Sequence, residues 1–216
     1  MKNKKLKILF WFLAVLPFLI SAGFYSRLPA RVVTHFNASG TPNGYSSRAV
    51  AAFGLPVFYL AVVLLLVVMM KIDPKNKNIE RSPQLKAAVL WGVVLILNLV
   101  HIVTMLNAIK IHVSINIMLG IAVGLLFIFI GNYLPKCKPN YTMGIRLPWT
   151  LYDEENWRRT HRFAGPLWII GGVLIALSSF LAFTWVVVAL VVSGLLCAAP
   201  AVYSYLLFRR EQGNKP

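Results

Sequence analysis

The sequence predicts an all-α integral membrane protein with six transmembrane helices. Of its 216 residues, 58% are hydrophobic and only 13% are charged, whereas a soluble domain carries about 25% charged residues. The apolar residues are also gathered into uncharged runs that reach the length of about 20 residues needed to cross a bilayer. Both observations exclude an ordinary soluble fold.

The apolar runs give the six spans in order. The first four cover Ile8–Tyr25, Ala49–Met70, Ala87–Ile109 and Val113–Leu134. The last run, Phe163–Phe208, is too long for one crossing, so it predicts two helices joined by a very short hairpin near Phe183-Thr184-Trp185. We expect two units: residues 1–86, with two spans and an outer loop at 26–48, and residues 87–216, with four spans and a central loop at 135–165.

The distribution of charge predicts the orientation. The chain has 22 Lys and Arg against 6 Asp and Glu, a net charge of +16. With the N-terminus inside, only four basic residues fall outside, Arg27, Arg31, Arg48 and Lys110. The positive-inside rule therefore predicts a multi-pass protein of the bacterial cell membrane with both termini and the central loop in the cytoplasm. Because the basic residues sit at span ends, we expect no direct binding to nucleic acid.

The loops differ in character. Val32–Phe36 has strand-like composition, and turn signals follow at Asn37–Gly40 and Pro42–Gly44, so the outer loop predicts a short extended cap on the helix ends. The first inner loop, Lys71–Lys86, is polar and without periodicity, which is typical of a solvated connector. In the central loop we predict an amphipathic interfacial helix over Leu151–Phe163, capped by Thr150, before a span that begins near Pro166.

Polar side chains recur inside the third span. Asn98, His101, Thr104 and Asn107 are spaced by three and must face the interior of the bundle. An intramembrane histidine is a candidate functional residue. We therefore take His101, with Asn98 on the same stripe, as the intramembrane polar candidates. The alternative is a neutral histidine that hydrogen-bonds to a neighbouring helix. Glycines in the fourth span favour close packing within the monomer, with a homo-oligomer as the second interpretation.

Motifs for catalysis and metal binding are missing from the sequence. It contains no HExxH, GxSxG or phosphate-loop pattern. Its two cysteines, Cys137 and Cys197, form neither a CxxC pair nor a disulfide framework. We therefore expect no enzyme activity, no cofactor and no metal.

The central loop carries a long motif, PNYTMGIRLPWT at Pro139–Thr150, followed by Trp157 and Thr160-His161. This motif resembles the signature of the SdpI family of bacterial membrane proteins, and Gly131–Lys136 just before it fits the same pattern. The first half, with Leu28-Pro29, Thr34–Asn37 and Pro42–Gly44, is similar to the uncharacterised domain that precedes the signature in that family.

The resemblance implies a membrane immunity protein. The family includes an immunity protein against SdpC, a secreted peptide toxin that collapses the proton-motive force, and the same protein signals by holding a cognate winged-helix autorepressor at the membrane. Toxin would then meet the outer loop, with candidate contacts at His35, Phe36 and Asn37. A repressor would meet the cytoplasmic motif, with candidates at Asn140, Gly144, Arg146, Pro148, Trp149, Thr150, Trp157 and His161.

Two alternatives stay open at the level of the sequence. Each motif residue could be structural, with the motif shaping the bundle and recognition lying elsewhere. The function itself could be that of a small multi-span transporter or channel-like protein, although the spans contain no carboxylate, which such proton-coupled proteins usually use.

Overall fold

The structure is a computed structural model that describes residues 4–37, 41–181 and 184–213. Within these ranges, six helices are long and apolar enough to cross a membrane, which confirms the predicted all-α, six-span architecture. These helices are α1 (Lys4–Phe24), α2 (Leu55–Ile72), α4 (Pro83–Ala108), α5 (Ile115–Tyr133), α7 (Glu154–Ser178) and α8 (Thr184–Gly213). Two short helices, α3 (Asn76–Glu80) and α6 (Pro148–Tyr152), lie between them.

The glycines of α5 explain how the second half of the bundle packs. A Cβ on Gly124 would lie 2.5 Å from the carbonyl oxygen of Gly172 in α7, so only hydrogen atoms fit between the two backbones. Gly120 faces Ser179 in the same way at the far end of α7. The glycine face is therefore used for packing within the monomer, as the first of the two sequence interpretations predicts.

A β-hairpin covers one end of the bundle, which we call the hairpin end. Strand β1 (Arg31–Phe36) pairs antiparallel with β2 (Pro42–Ser47). Val32 is fully buried and lies in one apolar cluster with Leu28 and with Met105 near the end of α4. The structure thus confirms the predicted extended cap, although residues 38–40 of its first predicted turn lie outside the described residues. The second predicted turn, Pro42–Gly44, is wrong, because these residues pair with β1 as the start of β2.

Polar side chains of α4 contact α1 in the middle of the bundle. Asn98 donates a hydrogen bond of 2.9 Å from Nδ2 to the carbonyl oxygen of Leu13. That carbonyl lies four residues before Pro17, which has no N–H to offer it. One turn further along, His101 Nε2 and Ser21 Oγ are 2.9 Å apart and both side chains are fully buried. This geometry matches the interpretation of His101 as an interhelical contact.

The structure differs from the predicted interfacial helix at Leu151–Phe163. The chain forms α6, breaks at Asp153, and then runs as one continuous helix from Glu154 to Ser178 through Pro166. The break arises because Asp153 has an extended backbone and caps α7, its Oδ1 accepting the N–H of Glu155 at 2.9 Å. Thr150, the predicted cap, is instead buried inside α6.

The remaining boundaries agree broadly with prediction. Helix α7 ends at Ser178 and α8 begins at Thr184, so the break between the last two spans falls where it was predicted, although Phe183 lies outside the described residues. A buried apolar cluster joins Phe10, Val63, Leu90 and Trp157. The division into units 1–86 and 87–216 stays a prediction, and its boundary falls in the first turn of α4.

Candidate functional site

Residues 137–147, which we call the motif loop, fold over the end of the bundle opposite the hairpin. We call this the loop end. The backbone N–H of Lys138 donates to Ser82 Oγ at the start of α4 (3.0 Å), whereas the hairpin packs near the last turns of the same helix. Since α4 has 26 residues, about 39 Å of helix separates the two ends.

Asn140 organises the turn inside the motif loop and is completely buried. Its Oδ1 accepts backbone hydrogen bonds from Thr142 (2.9 Å) and Met143 (2.6 Å). Its Nδ2 donates to the carbonyl of Lys138 at 2.8 Å. The side chain thus satisfies backbone groups that the turn would otherwise leave unpaired.

Asp73, just after α2, ties the motif loop to the first half of the chain. It is only 5% exposed. Its Oδ2 accepts from the backbone N–H of Tyr141 (2.9 Å) and from Thr142 Oγ1 (2.6 Å), and its Oδ1 accepts from the N–H of Lys75 (2.7 Å). Sequence analysis missed this residue because its partners in the motif loop lie 68 and 69 residues away. The signal available was an acid directly before Pro74 at the end of an apolar run.

The loop Lys71–Lys86 is therefore not the solvated connector that the sequence predicts. Ile79 of α3 is fully buried, and Asn78 Nδ2 donates to the carbonyl of Pro139 at 2.7 Å. Ser82 donates to the carbonyl of Asn78 while accepting from Lys138. The absence of periodicity misled the prediction, since a helix of five residues is too short to show it.

Trp157 and His161 of α7 form the floor beneath the motif loop. Their rings stack with centroids 4.1 Å apart, and Trp157 Nε1 donates to the carbonyl of Cys137 at 2.8 Å. The ring of His161 accepts from the N–H of Ile145 at Nε2 (2.9 Å) and donates from Nδ1 to the carbonyl of Trp157 (2.8 Å). Both side chains are buried, so their direct partners are the loop and the helix themselves.

Gly144 is the position where the backbone of the motif loop requires glycine. Its φ of +97° lies in the left-handed region. A Cβ there would also meet the ring of Trp157 at 3.1 Å. The turn can therefore lie directly on the aromatic floor only because no side chain is present.

Thr150 closes the end of the motif loop, and Trp149 connects it to α8. Thr150 Oγ1 accepts from the N–H of Leu147 and donates to the carbonyl of Ile145, both at 2.9 Å. Trp149 Nε1 donates to Ser204 Oγ at 2.7 Å, and its ring stacks on Phe208. The motif thus joins the last helix to the rest of the loop end.

Cys137 is a buried thiol without the features of a reactive one. Burial raises its pKa to about 12, so it is protonated at neutral pH. Among the described residues, no group of three His, Cys, Asp or Glu side chains is placed to hold a metal ion.

An open groove of about 690 Å³ lies beside α6 at the loop end. It is lined by aromatic rings and by the carboxylates of Asp153, Glu154 and Glu211. Arg146 and Pro148 are exposed nearby, with Arg146 Nη1 donating to the carbonyl of Tyr141 at 2.5 Å. In a chain of net charge +16, this groove is a local concentration of negative charge.

The three candidates at the hairpin end lie near one another at the tip. His35 is exposed, and its Nδ1 is 2.6 Å from Asn43 Oδ1 on the paired strand. Phe36 is partly buried and Asn37 is exposed. The His35–Asn43 contact joins the two strands, so one role of His35 is to stabilise the hairpin itself.

Comparisons with known proteins agree with the motif. Residues 136–204 match the SdpI/YfhL protein family, and residues 12–60 match a domain of unknown function, DUF1648. The immunity protein SdpI of Bacillus subtilis (strain 168) is 25% identical over 201 residues, which cover 93% of this chain and 94% of that protein. No solved structure matches the chain significantly. The resemblance found in the sequence is thereby confirmed, and with the six apolar helices it makes the chain a multi-pass membrane protein.

Proposed function

The chain contains an SdpI/YfhL family region, and from that premise we propose that it is a membrane immunity protein that protects its cell from a secreted, SdpC-like peptide toxin. The observation that carries the proposal is the similarity to an immunity protein over 93% of the chain. The similarity reaches beyond the motif to the hairpin and all six long helices.

The hairpin end is the surface that we assign to the toxin. The positive-inside rule puts this end outside the cell, where a secreted peptide arrives. The candidates His35, Phe36 and Asn37 lie at the end of β1, and His35 contacts Asn43 on the paired strand. Val32 anchors the strand below on Met105 of α4, so a contact at the tip acts directly on a membrane helix.

The loop end is the surface that we assign to a cytoplasmic partner, a winged-helix repressor. Arg146 and Pro148 are exposed and Trp149 is partly exposed, so these motif residues are available for contact. The buried residues Asn140, Thr150, Trp157 and His161, together with the turn at Gly144, hold them in place. DNA-binding proteins carry basic surfaces, and the carboxylates of the neighbouring groove are complementary to such a surface.

Helix α4 would connect the two activities. It begins beside the motif loop, ends beneath the hairpin, and contacts α1 through Asn98 and His101 on the way. A small shift of α4 against α1 is therefore the change we propose for signalling across the membrane. Asn98 and His101 are engaged with α1, and Asn107 bonds within α4 and to Val113. These contacts give the polar stripe a structural role, so transport is not part of the proposal.

The experiment is survival of a toxin-sensitive bacterium that expresses this protein and is challenged with an SdpC-like peptide. We expect protection by the wild type and weaker protection by His35→Ala/Phe36→Ala at equal membrane levels. The matched control is Tyr45→Ala, which removes an exposed aromatic side chain from β2. Absence of protection by the wild type at good membrane expression contradicts the proposal.

A further inference from the structure

An apolar groove of about 680 Å³ runs along the outer surface of the bundle between α4 and α5. It begins at Gln84 and Tyr133, at the loop end, and reaches Leu99 in the middle of α4. Fifteen residues of helix correspond to about 22 Å. One leaflet contributes about 15 Å of hydrocarbon, so the groove has the length of a lipid acyl chain with its attachment to the head group.

The groove exists because α5 makes its closest contacts on its other side. Gly124 and Gly131 bring α5 against the backbone of α7. On the side of α4, the small residues Ala88 and Ala122 leave space between the larger rings of Trp91 and Phe129. Phe129 is 58% exposed, so the groove is open to the surrounding bilayer.

Positive charge collects at the mouth of the groove. Lys136 Nζ lies 6.0 Å from the centroid of the Tyr133 ring, and that ring lines the groove. Lys138 is held beside the start of α4 by its backbone hydrogen bond to Ser82. Both lysines are exposed, and within the described ranges neither forms a salt bridge. The acid nearest in sequence to α4, Glu80, is paired with Lys86.

The start of α4 adds to this field. Ser82 precedes the helix, but its hydroxyl donates to the carbonyl of Asn78 and accepts from Lys138. It therefore does not cap the first turn of α4. The positive end of the helix dipole faces the same region as the two lysines, which favours an anion there.

We propose that this groove binds an anionic phospholipid, with one acyl chain between α4 and α5 and the phosphate beside Lys136, Lys138 and the first turn of α4. Basic pockets between membrane helices recognise such head groups. A zwitterionic lipid is disfavoured because it brings its own cation to a positive site. The site uses neither the hairpin nor the exposed motif residues Arg146 and Pro148, so it does not depend on the immunity function.

The test is a lipid titration of the purified full-length protein in detergent, with bound lipids counted by native mass spectrometry. The probes are phosphatidylglycerol and phosphatidylcholine with the same acyl chains. We expect phosphatidylglycerol to be retained about tenfold more strongly, and the double variant Lys136→Gln/Lys138→Gln to lose that preference. The matched control Arg27→Gln/Arg31→Gln removes two exposed charges at the hairpin end and should keep the preference for phosphatidylglycerol.

A second variant tests the acyl chain. Ala122→Phe fills the groove and should weaken retention of both lipids, whereas Ala61→Phe, at an exposed alanine of α2, should not. Equal retention of the two lipids by the wild type overturns the proposal. The proposal is also overturned if the double lysine variant keeps the preference for phosphatidylglycerol, or if the double arginine control loses as much of it. The lysine and arginine variants change only exposed side chains, so the test does not depend on the folding of Ala122→Phe.

Discussion

A Cβ on Gly144 would lie 2.5 Å from Nε2 of His161, the nitrogen that accepts the N–H of Ile145. The motif loop and α7 therefore fit together only because the loop has glycine at position 144 and α7 presents the His161 ring as the acceptor. Most of the family motif consists of such contacts within the protein. We infer that the motif builds the loop end and that its few exposed residues are left for recognition.

Gly144→Ala should destabilise the protein. The added methyl group meets the His161 ring, and alanine is strained at a φ of +97°, so we expect a loss of about 1–3 kcal/mol in the free energy of unfolding. Thermal unfolding in detergent measures it. Gly23→Ala is the control, because a Cβ at Gly23 meets nothing within 4 Å. Equal melting temperatures for Gly144→Ala and the wild type would show that the motif loop is not held as described.

Asp73→Ala should release the motif loop from the end of α2. The substitution removes the acceptor for three hydrogen bonds, including the backbone N–H of Tyr141, and each buried donor left unpaired costs about 1–3 kcal/mol. Limited proteolysis should then cut within residues 137–147 faster than in the wild type. Glu154→Ala, an exposed acid at the same end, should leave the cleavage rate unchanged. A protected loop in Asp73→Ala would refute this anchoring role.

Asn98 and Pro17 should be energetically coupled. In the wild type, Asn98→Ala leaves the carbonyl of Leu13 without a donor, at a cost of about 1 kcal/mol. In a Pro17→Ala background the helix supplies its own N–H to that carbonyl, so Asn98→Ala should cost less. Asn107→Ala, from the same stripe but bonded to the carbonyls of Val103 and Val113, should show no coupling to Pro17. A double-mutant cycle of unfolding free energies measures this coupling. Additive effects of Asn98→Ala and Pro17→Ala would show that the Asn98 amide does not replace the N–H that Pro17 lacks.

Cys137 should resist thiol reagents until the protein unfolds. Burial raises its pKa from 9.0 to about 12, which lowers the thiolate fraction at neutral pH roughly a thousandfold. Maleimide labelling of a Cys197→Ser variant follows this one thiol, with and without denaturant. Because ionisation is favoured only in the unfolded chain, this thiol contributes stability below about pH 9, and that contribution is lost as the pH rises toward 12. Fast labelling of the folded protein would contradict the buried position.

The long helices could be predicted because a bilayer imposes a simple requirement of length and apolarity on each of them. A close helix contact at Gly124 was also expected, since small residues are what membrane helices need at close contacts, but the sequence did not identify α7 as the partner. The hairpin followed from a strand-like run and the turn signal that begins at Asn37, whereas the second predicted turn, Pro42–Gly44, lies in β2. Each of these predictions depends on local pattern alone.

The site depends on contacts between distant segments, which local pattern does not contain. Asp73 meets Tyr141 across 68 residues, and Trp149 meets Ser204 across 55. The break at Asp153 was missed because Thr and Asp are both common helix caps. In the structure Thr150 bonds to Leu147 and Ile145 inside the short helix α6, and Asp153 caps α7. The motif residues were found by resemblance, but their burial became visible only in the structure.

The most direct test of the account is the membrane potential of cells exposed to an SdpC-like peptide, followed with a potential-sensitive dye. Cells that express this protein should keep their potential, while cells with an empty vector lose it. Asp73→Ala, at matched membrane levels, should protect less if the loop end supports the fold as described. Loss of potential with equal speed in wild-type and empty-vector cells would contradict the immunity function.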